Sequence, residues 1–508
     1  MVQAQKNFFI SGLSFQYLSA ITFVVFGGVF YIVVAKLLPT TSVGAISLLL
    51  AIASLLNIIF SFGFPITAQH FISFNLGKGD HIETQSVAIR LITISVILSL
   101  GSFGFTLVMA KSIAILFFHN PYDSILVEVA SIYVAAGILF GVFHGSALGF
   151  QMFKTDAIIY LSSASLSYLL GLVLLVIFHG IIYLLIGMTI CYFYGSVLYI
   201  IYILYKRPTT RERSSKTSIS LILSYSWPLV LSSLVGYGSL YVDRFVVAYF
   251  LNLSTLGIYS FVLLISSSLS FLAGPIANIL IPKLSEFFSL DDNEGLKNGI
   301  NLSSTVLVLV YSPIALGVAS IAPIILTLLA RPIYASGYIA LTIILGTSSI
   351  FVLSTIMSSV IFAVRNTKVY LLATSLTLLS NVFLSFLLIP KFGMIGAAIA
   401  NSSVLVITFV VLYHYAIGTR LKNFDWSTVL RLWLSSLIMF VLVTLERVLL
   451  GNFIHLLPVY VVTGIFYYLM AVNLTHSLRG LEKEEFLSYV PARFRLRRIM
   501  SIFLARAF

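Results

Sequence analysis

Apolar runs of about twenty residues recur along the whole chain, separated by short polar breaks. A helix needs about 20 apolar residues to cross the ~30 Å hydrocarbon core of a bilayer. Only 9% of the residues are charged, against about 25% in soluble domains, so the chain cannot cover a water-facing surface. The ten-residue alternation typical of membrane barrels is absent from the sequence. The sequence therefore predicts an all-α polytopic membrane protein.

Hydropathy and helix-breaking residues predict fourteen transmembrane spans. Their limits are 10–35, 43–66, 87–110, 125–149, 156–178, 181–204, 221–249, 254–281, 302–328, 338–362, 369–389, 394–417, 429–450 and 455–475. With a cytoplasmic N-terminus, 23 of the 29 Lys and Arg fall on the inner side and six on the outer side. Because positive residues favour the cytoplasmic side, both termini are predicted to be cytoplasmic. The net charge of +13 then reflects loops near anionic headgroups rather than nucleic acid.

Two parts of the chain resemble each other at a constant shift of 213 residues. AKLLPTTSVGAIS aligns with AYFLNLSTLGIYS, FQMFKTDAIIYL with AVRNTKVYLL, and FHGII with KFGMI. The shift covers six spans, so both copies begin on the same side of the membrane. This predicts a parallel repeat about an axis along the membrane normal.

The repeat divides the chain into five segments. They are an N-terminal six-helix lobe (1–205), a cytoplasmic basic linker (206–219), a C-terminal six-helix lobe (220–418), two additional transmembrane helices (419–476) and a basic amphipathic cytoplasmic tail (477–508). Two parallel lobes would leave a central cleft, which a rocking motion opens to one face and then to the other.

Several stretches resemble the multidrug/oligosaccharidyl-lipid/polysaccharide (MOP) exporter superfamily. They are AKLLPTTSVGAISLLLAI and FGFPITA in the first lobe, and DRFVVAYFLNLSTLGIYSFV, GPIANILIPKLSEF and IPKFGMIGAAIANSSV in the second. Within the superfamily the chain is similar to the polysaccharide flippases that move lipid-linked oligosaccharides, and the likeness spans nearly the whole chain. The resemblance implies a cavity lined by the first helix pair of each lobe.

An aspartate and an arginine, Asp243 and Arg244, stand side by side in the predicted seventh span. One interpretation is an interfacial pair that reaches the outer headgroups. If the span lines the implied cavity, Asp243 is instead a candidate for coupling to H⁺ or Na⁺, and Arg244 a candidate phosphate ligand. The repeat places the uncharged Phe30 and Tyr31 at the equivalent positions, so the charges belong to one lobe only.

A lipid pyrophosphate needs cationic or polar groups along its path, because a bare anion is costly in hydrocarbon. The candidate substrate-binding residues are Arg244, Arg90, Lys154, Arg365, Asn278 and Asn57. For the other cations, the alternative interpretation is ordinary anchoring on the cytoplasmic side. For the two asparagines, the alternative is interhelical hydrogen bonding. His70 and His144 are either packing residues or proton or headgroup sites.

Three prolines flank predicted bends in matched helices of the two lobes. Pro65 lies in the second span, and Pro275 and Pro282 lie in the eighth. Proline removes a helical hydrogen bond and kinks the helix. These prolines are therefore gating candidates.

Two functions remain open at this point. The first is a flippase that carries a lipid-linked oligosaccharide, with a polyprenyl- or dolichyl-pyrophosphate-type carrier, from the cytoplasmic to the outer leaflet by alternating access. The second is an ion-coupled multidrug or metabolite antiporter on the same fold. Only Asp243 stands out as a carboxylate within a span, and the basic balance favours an anionic cargo. The short outer loops argue against a membrane enzyme such as a polysaccharide polymerase or glycosyltransferase, and the absence of a GxxxxGK[ST] motif argues against ATP hydrolysis by the chain itself.

The remaining expectations concern ligands and location. One cysteine and no metal-ligand spacing predict neither a disulfide nor a metal site, and no cofactor is expected beyond a coupling H⁺ or Na⁺. The expected partners are membrane lipids, a lipid-pyrophosphate-linked glycan and glycan assembly proteins, without nucleic acid. We expect a monomer that spans the cell membrane many times.

Overall fold

The computed structural model of the protein describes residues 25–205, 217–364, 366–419 and 424–475. The regular elements in these ranges are helical. The helices are α1 (Val25–Leu37), α2 (Thr40–Ser61), α3 (Phe64–Gly77), α4 (His81–Ile113), α5 (Ser124–Gly149), α6 (Phe153–Phe178), α7 (Ile181–Tyr205), α8 (Ile219–Phe250), α9 (Leu253–Ser270), α10 (Gly274–Ser289), α11 (Asn293–Ser320), α12 (Ala322–Leu329), α13 (Tyr338–Phe351), α14 (Ser354–Ala363), α15 (Thr367–Phe392), α16 (Met394–Thr419), α17 (Trp426–Leu450) and α18 (Leu457–Leu474).

Within those ranges, thirteen helical segments are long and apolar enough to cross a membrane. They coincide in order with the second to fourteenth predicted spans. The first predicted span, 10–35, is described only from Val25, where α1 begins. Apolar side chains such as Leu100 and Val108 are exposed on these helices, as a lipid-facing surface requires. The prediction of an all-α multi-pass membrane protein is confirmed, while the orientation of the termini stays a prediction.

The predicted span 43–66 is broken where hydropathy alone shows a continuous run. α2 ends at Ser61, and Phe62 and Gly63 adopt left-handed backbone angles with φ of 51° and 69°. α3 then begins with Pro65 in its first turn. A proline is tolerated there because the first helical N–H groups have no helical partner. The proline therefore marks a new helix start rather than a kink.

Three further predicted spans also consist of two helices each. Residues 271–273 separate α9 from α10, Ile321 separates α11 from α12, and residues 352–353 separate α13 from α14. Prolines in the first turns of α10 and α12 account for the first two breaks. No proline accompanies the third.

Contacts group the described residues into two compact units, one ending at Ser260 and the other beginning at Phe261. In the first unit α5 packs against α2, α3, α4 and α7, and α8 packs against α2 and α3. In the second unit α11 packs against α10, α13 and α17, and α16 packs against α13, α14 and α15. The predicted lobe limits stay predictions.

Serine and aromatic side chains connect the helices of the second unit. The Tyr311 hydroxyl donates to Ser348 Oγ at 3.1 Å, and Trp433 Nε1 donates to Ser349 Oγ at 2.9 Å. Ser312 Oγ donates to the Ser349 carbonyl at 2.5 Å. Such interhelical hydrogen bonds hold membrane helices together where lipid supplies no hydrophobic driving force.

Candidate functional site

The start of α8 is held by two charged side chains of α4. The backbone N–H of Thr217 donates to Glu83 Oε1 at 2.9 Å. The Arg90 guanidinium donates to the Thr217 carbonyl. Arg90 was predicted as a substrate-binding candidate. Its observed contact fixes the entry to α8, and its substrate role stays a prediction.

Further along, α8 bonds to two other helices of the first unit. Thr67 Oγ1 and Ser226 Oγ lie 2.7 Å apart and join α3 to α8. The Tyr237 hydroxyl donates to the Ala51 carbonyl of α2 at 2.5 Å. Together with the contacts of Thr217, these bonds explain why the first compact unit extends past the predicted linker to Ser260.

α2 and α9 cross at the two glycines that the repeat aligns, Gly44 and Gly257. A Cβ on Gly44 would overlap the Leu253 carbonyl, and a Cβ on Gly257 would overlap the Thr40 carbonyl. Thr40 Oγ1 and Ser254 Oγ lie 2.6 Å apart beside the glycines. The two sets of contacts are reciprocal at a shift of 213 residues, which is the pattern of a local two-fold axis. Glycine lets the two backbones approach this closely.

Asp243 is fully buried in α8 and joins α8 to α9. Its Oδ2 accepts a hydrogen bond from the Tyr259 hydroxyl at 2.5 Å, and its Oδ1 accepts one from the backbone N–H of Arg244 at 2.9 Å. Tyr259 is itself fully buried. The carboxyl group is therefore shielded from solvent. A change in its charge or in its hydrogen-bond partner would alter the contact between α8 and α9.

Arg244 is half-buried and lies among tyrosines. Its Cζ is 4.2 Å from the centre of the Tyr241 ring, which stacks on Tyr237 with ring centres 4.4 Å apart. The Arg244 Nε is buried and has no hydrogen-bond partner among the described residues. The site thus presents a guanidinium on the face of the Tyr241 ring, with an Nε–H donor that no described residue uses.

A cavity of about 370 Å³ lies within the first unit. It is lined by residues of α2, α5, α6 and α7, all of which are membrane-spanning segments. Its lining is rich in tyrosine and small residues: Ala53, Ser54, Asn57, Ile58, Tyr133, Val134, Gly137, Phe140, Gly141, His144, Tyr160, Ala164, Ser167, Tyr168, Met188 and Tyr192.

One of the residues that line the cavity is a histidine, His144, which a buried aspartate holds in place. His144 Nδ1 lies 2.7 Å from Asp156 Oδ1, and the Tyr199 hydroxyl donates to the same oxygen at 2.7 Å. The Asp156 side chain is inaccessible, whereas 26% of the His144 side chain is exposed. The carboxyl group therefore fixes the imidazole, whose other nitrogen is left for the cavity side.

Asn57 on α2 also lines this cavity. Its carboxamide has no hydrogen-bond partner among the described residues, although interhelical bonding was the alternative prediction. A Cβ on Gly137 would lie 2.8 Å from Asn57 Nδ2, so the glycine makes room for the amide. An amide without a protein partner inside a membrane-spanning helix is costly, and the substrate-binding role of Asn57 stays a prediction.

The other predicted residues are scattered. Lys154 is exposed in the first turn of α6, and His70 stacks on Tyr225 with ring centres 4.5 Å apart. A Cβ on Gly145 would overlap the Pro65 carbonyl, so the start of α3 packs closely on α5. Arg365 and the side chains of Pro275, Asn278 and Pro282 lie outside the described residues.

Sequence reasoning missed Asp156 and the contact between Gly44 and Gly257. Asp156 is the first residue of a predicted span, where a charge is usually an interfacial anchor. Its burial depends on His144 and Tyr199, which come from other helices. The two glycines do lie in the aligned repeat, but an alignment cannot show that the two copies touch.

Relatives in archaea share part of the chain. The probable low-salt glycan biosynthesis flippase Agl15 of Haloferax volcanii is 23% identical over 48% of this chain and 52% of its own length. The uncharacterized membrane protein MJ1068 of Methanocaldococcus jannaschii is 26% identical over 44% of this chain and 46% of its own length. The chain thus spans about half the length of these two relatives. A second protein of that organism, MJ1375, is 24% identical over 75% of this chain and 91% of its own length.

Two solved structures share the fold. The lipid II flippase MurJ in an inward closed conformation has a TM-score of 0.72 at 18% identity, covering 92% of this chain and 99% of its own. An inward-facing multidrug resistance MATE transporter of the MOP superfamily has a TM-score of 0.62 at 16% identity, covering 79% of this chain and 96% of its own.

Residues 11–288 match the family described as "Polysaccharide biosynthesis protein". That match covers more than half of the chain, and the predicted resemblance to the polysaccharide biosynthesis proteins is confirmed. The chain belongs to the polysaccharide biosynthesis protein family.

Proposed function

We propose that this protein is a flippase for a lipid-linked oligosaccharide, which it carries from the cytoplasmic to the outer leaflet by alternating access. Family membership, the similarity to a glycan biosynthesis flippase of Haloferax volcanii and the fold shared with a lipid II flippase support the proposal. The cargo is a glycan joined through pyrophosphate to a long lipid.

The position and contacts of Arg244 are the main structural support for this proposal. A guanidinium inside a membrane-spanning helix is costly unless its charge is used. Here the side chain rests on Tyr241, and its Nε has no hydrogen-bond partner among the described residues. The planar guanidinium fits a phosphate group, with two parallel hydrogen bonds, better than any other side chain does. Arg244 is therefore proposed to bind the pyrophosphate during its passage.

Alternating access requires a contact between helices that forms and breaks in each cycle, and we assign this contact to the crossing of α2 and α9. Gly44 and Gly257 lie near the first turns of these helices, which the predicted orientation places at the outer face. We propose that this crossing closes the outer side and that its separation releases the glycan. Close backbone packing suits such a contact, because it forms only at one distance and is lost over a small displacement.

Replacing Arg244 tests the proposed cargo. In liposomes that contain a lipid-pyrophosphate-linked oligosaccharide, Arg244→Ala is expected to slow translocation about 10-fold or more, since a charge-assisted hydrogen bond contributes about 1.5–3 kcal/mol. Translocation of a lipid that carries the same glycan without phosphate should change far less. Arg244→Lys should recover only part of the rate, because an ammonium lacks the planar fork.

Arg447 offers a matched control on α17. It too is a partly buried arginine near the end of a membrane-spanning helix, and it donates to Asn452 Oδ1 at 3.1 Å. Arg447→Ala should leave the preference for the phosphate-linked lipid intact. Equal losses for both lipids in the Arg244→Ala protein would refute the pyrophosphate role. Transport of an organic cation in place of either lipid would favour the antiporter.

A further inference from the structure

We infer that the cavity within the first unit binds one sugar residue of the translocated glycan. This inference rests on the proposed function, because it names the part of the cargo that the cavity would recognise. The pyrophosphate is assigned to Arg244 on α8, whereas this cavity is lined by residues of α2, α5, α6 and α7. The two sites therefore use different side chains and can be tested separately.

Aromatic rings form a continuous row along the cavity. The ring centres of Tyr133 and Tyr192 are 5.1 Å apart, and those of Tyr192 and Phe140 are 5.2 Å apart. Both pairs are close to parallel, with interplanar angles of 29° and 26°. The electron-rich face of an aromatic ring attracts the weakly positive C–H groups that cover one face of a sugar. Because stacked rings cover part of one another's faces, the parts that still face the cavity would supply the apolar wall for a saccharide ring.

Polar groups in the same cavity suit hydroxyls. The Asn57 carboxamide offers two donors and one acceptor, and none is used by a described residue. His144 is fixed by Asp156 through Nδ1, which leaves its Nε2 for a ligand. The Tyr133 hydroxyl donates to the Tyr192 hydroxyl at 3.2 Å, so the Tyr192 proton remains available. Mixed donors and acceptors match sugar hydroxyls, which both donate and accept.

The lack of charged residues in the cavity lining favours a neutral ligand over a phosphate or an organic cation. Among the described lining residues there is no Lys, Arg, Asp or Glu, so the cavity lacks a counter-charge for a phosphate. Asp156 stands behind His144 with its side chain inaccessible and cannot meet an organic cation directly. A volume of about 370 Å³ is at the lower end of small-molecule sites, which span about 300–1,000 Å³. A single neutral saccharide ring fits both the uncharged lining and the volume of the cavity.

Ligand-observed NMR tests the cavity directly. The protein is reconstituted in lipid nanodiscs, free of maltoside detergent, and probed with the methyl glycosides of glucose, N-acetylglucosamine and glucuronic acid. We expect saturation transfer to at least one neutral glycoside. Asn57→Ala and Gly137→Ala should each weaken that binding about tenfold, because a lost hydrogen bond of about 1.4 kcal/mol equals one decade in affinity.

Gly137→Ala is the sharper variant, because it keeps every polar group and only adds a methyl near Asn57 Nδ2. Its matched control is Gly104→Ala on α4, where a Cβ meets nothing within 4 Å. The Gly104→Ala protein should bind like the unaltered protein. No saturation transfer in the unaltered protein, or equal transfer in all variants, overturns the saccharide site.

Translocation measured on the same preparations separates this inference from the proposed function. If the lipid-linked glycan is translocated but no glycoside binds, the cavity assignment fails and the flippase proposal stands. If glycosides bind and no lipid is translocated, the flippase proposal fails and the saccharide site stands. With both intact, Gly137→Ala should slow the glycan-bearing lipid and spare a lipid pyrophosphate without sugar.

Discussion

A disulfide between α2 and α9 should stop translocation. In a Cys191→Ala background, Thr40→Cys with Ser254→Cys places two thiols where the hydroxyl oxygens are 2.6 Å apart, near the ~2.05 Å of an S–S bond. If the crossing at Gly44 and Gly257 must separate in each cycle, the oxidised protein should fall to the background rate of protein-free liposomes. A reductant should restore most of the activity. Mass spectrometry of the digested protein measures the extent of crosslinking.

A crosslink of similar geometry elsewhere provides the control. Ser435 Oγ and Thr475 Oγ1 lie 2.9 Å apart, and Ser435 belongs to α17 in the two additional helices, outside both predicted lobes. Ser435→Cys with Thr475→Cys should therefore form a disulfide without stopping translocation. Each single cysteine variant controls for loss of the hydroxyl. Full activity of the oxidised double variant of Thr40 and Ser254 would show that α2 and α9 stay together throughout the cycle.

The fold was predictable because one requirement dominates it: each helix must be long and apolar enough to cross the bilayer. Each span from the second to the fourteenth could be located by length and apolarity, since a helix must cross a core of fixed thickness. The break at Phe62 and Gly63 was not located, because hydropathy carries no information on backbone angles. Pro65 gave a partial signal, but a proline can either kink a helix or begin one.

The candidate site was less predictable because its properties come from several helices at once. Asn57 and Asp243 could be singled out as polar residues within apolar runs. That Tyr259 would donate to Asp243 while Asn57 stays without a described partner depends on tertiary packing. Asp156 is a residue that the sequence offered no reason to select. Its sequence position indicates an interface, and only the contacts with His144 and Tyr199 reveal a buried acid.

Loss of the Asp243 charge should uncouple translocation from its driving gradient. Asp243→Asn keeps one oxygen that can accept the Tyr259 hydrogen bond and gives up the bond from the Arg244 N–H within α8, so the contact between α8 and α9 should persist. If Asp243 binds the coupling H⁺ or Na⁺, an imposed gradient that accelerates the unaltered protein should no longer accelerate the variant. The measurement is the ratio of translocation rates with and without each gradient, which should fall to about one.

We expect this loss of coupling because a ligand drives a conformational change only if it binds the two states with different affinities. A carboxylate bound to Tyr259 beside Arg244 binds a cation differently if α8 and α9 shift apart. An asparagine there has no charge to be compensated, so that difference disappears. Asp243→Ala tests the structural part separately, because it leaves the buried Tyr259 hydroxyl without its acceptor. It should lower thermal stability as well, by about 1–3 kcal/mol of unfolding free energy.

Asp156 is the informative comparison, because among the described residues of the first unit it is the other buried carboxylate that accepts a tyrosine hydrogen bond. Asp156→Asn should weaken binding in the cavity through His144 yet leave the response to the gradient. If instead Asp156→Asn removes the response and Asp243→Asn retains it, coupling belongs to the pair of His144 and Asp156. In that outcome Asp243 serves to join α8 to α9, and the moving contact at Gly44 and Gly257 would be driven from the sugar cavity rather than from α8.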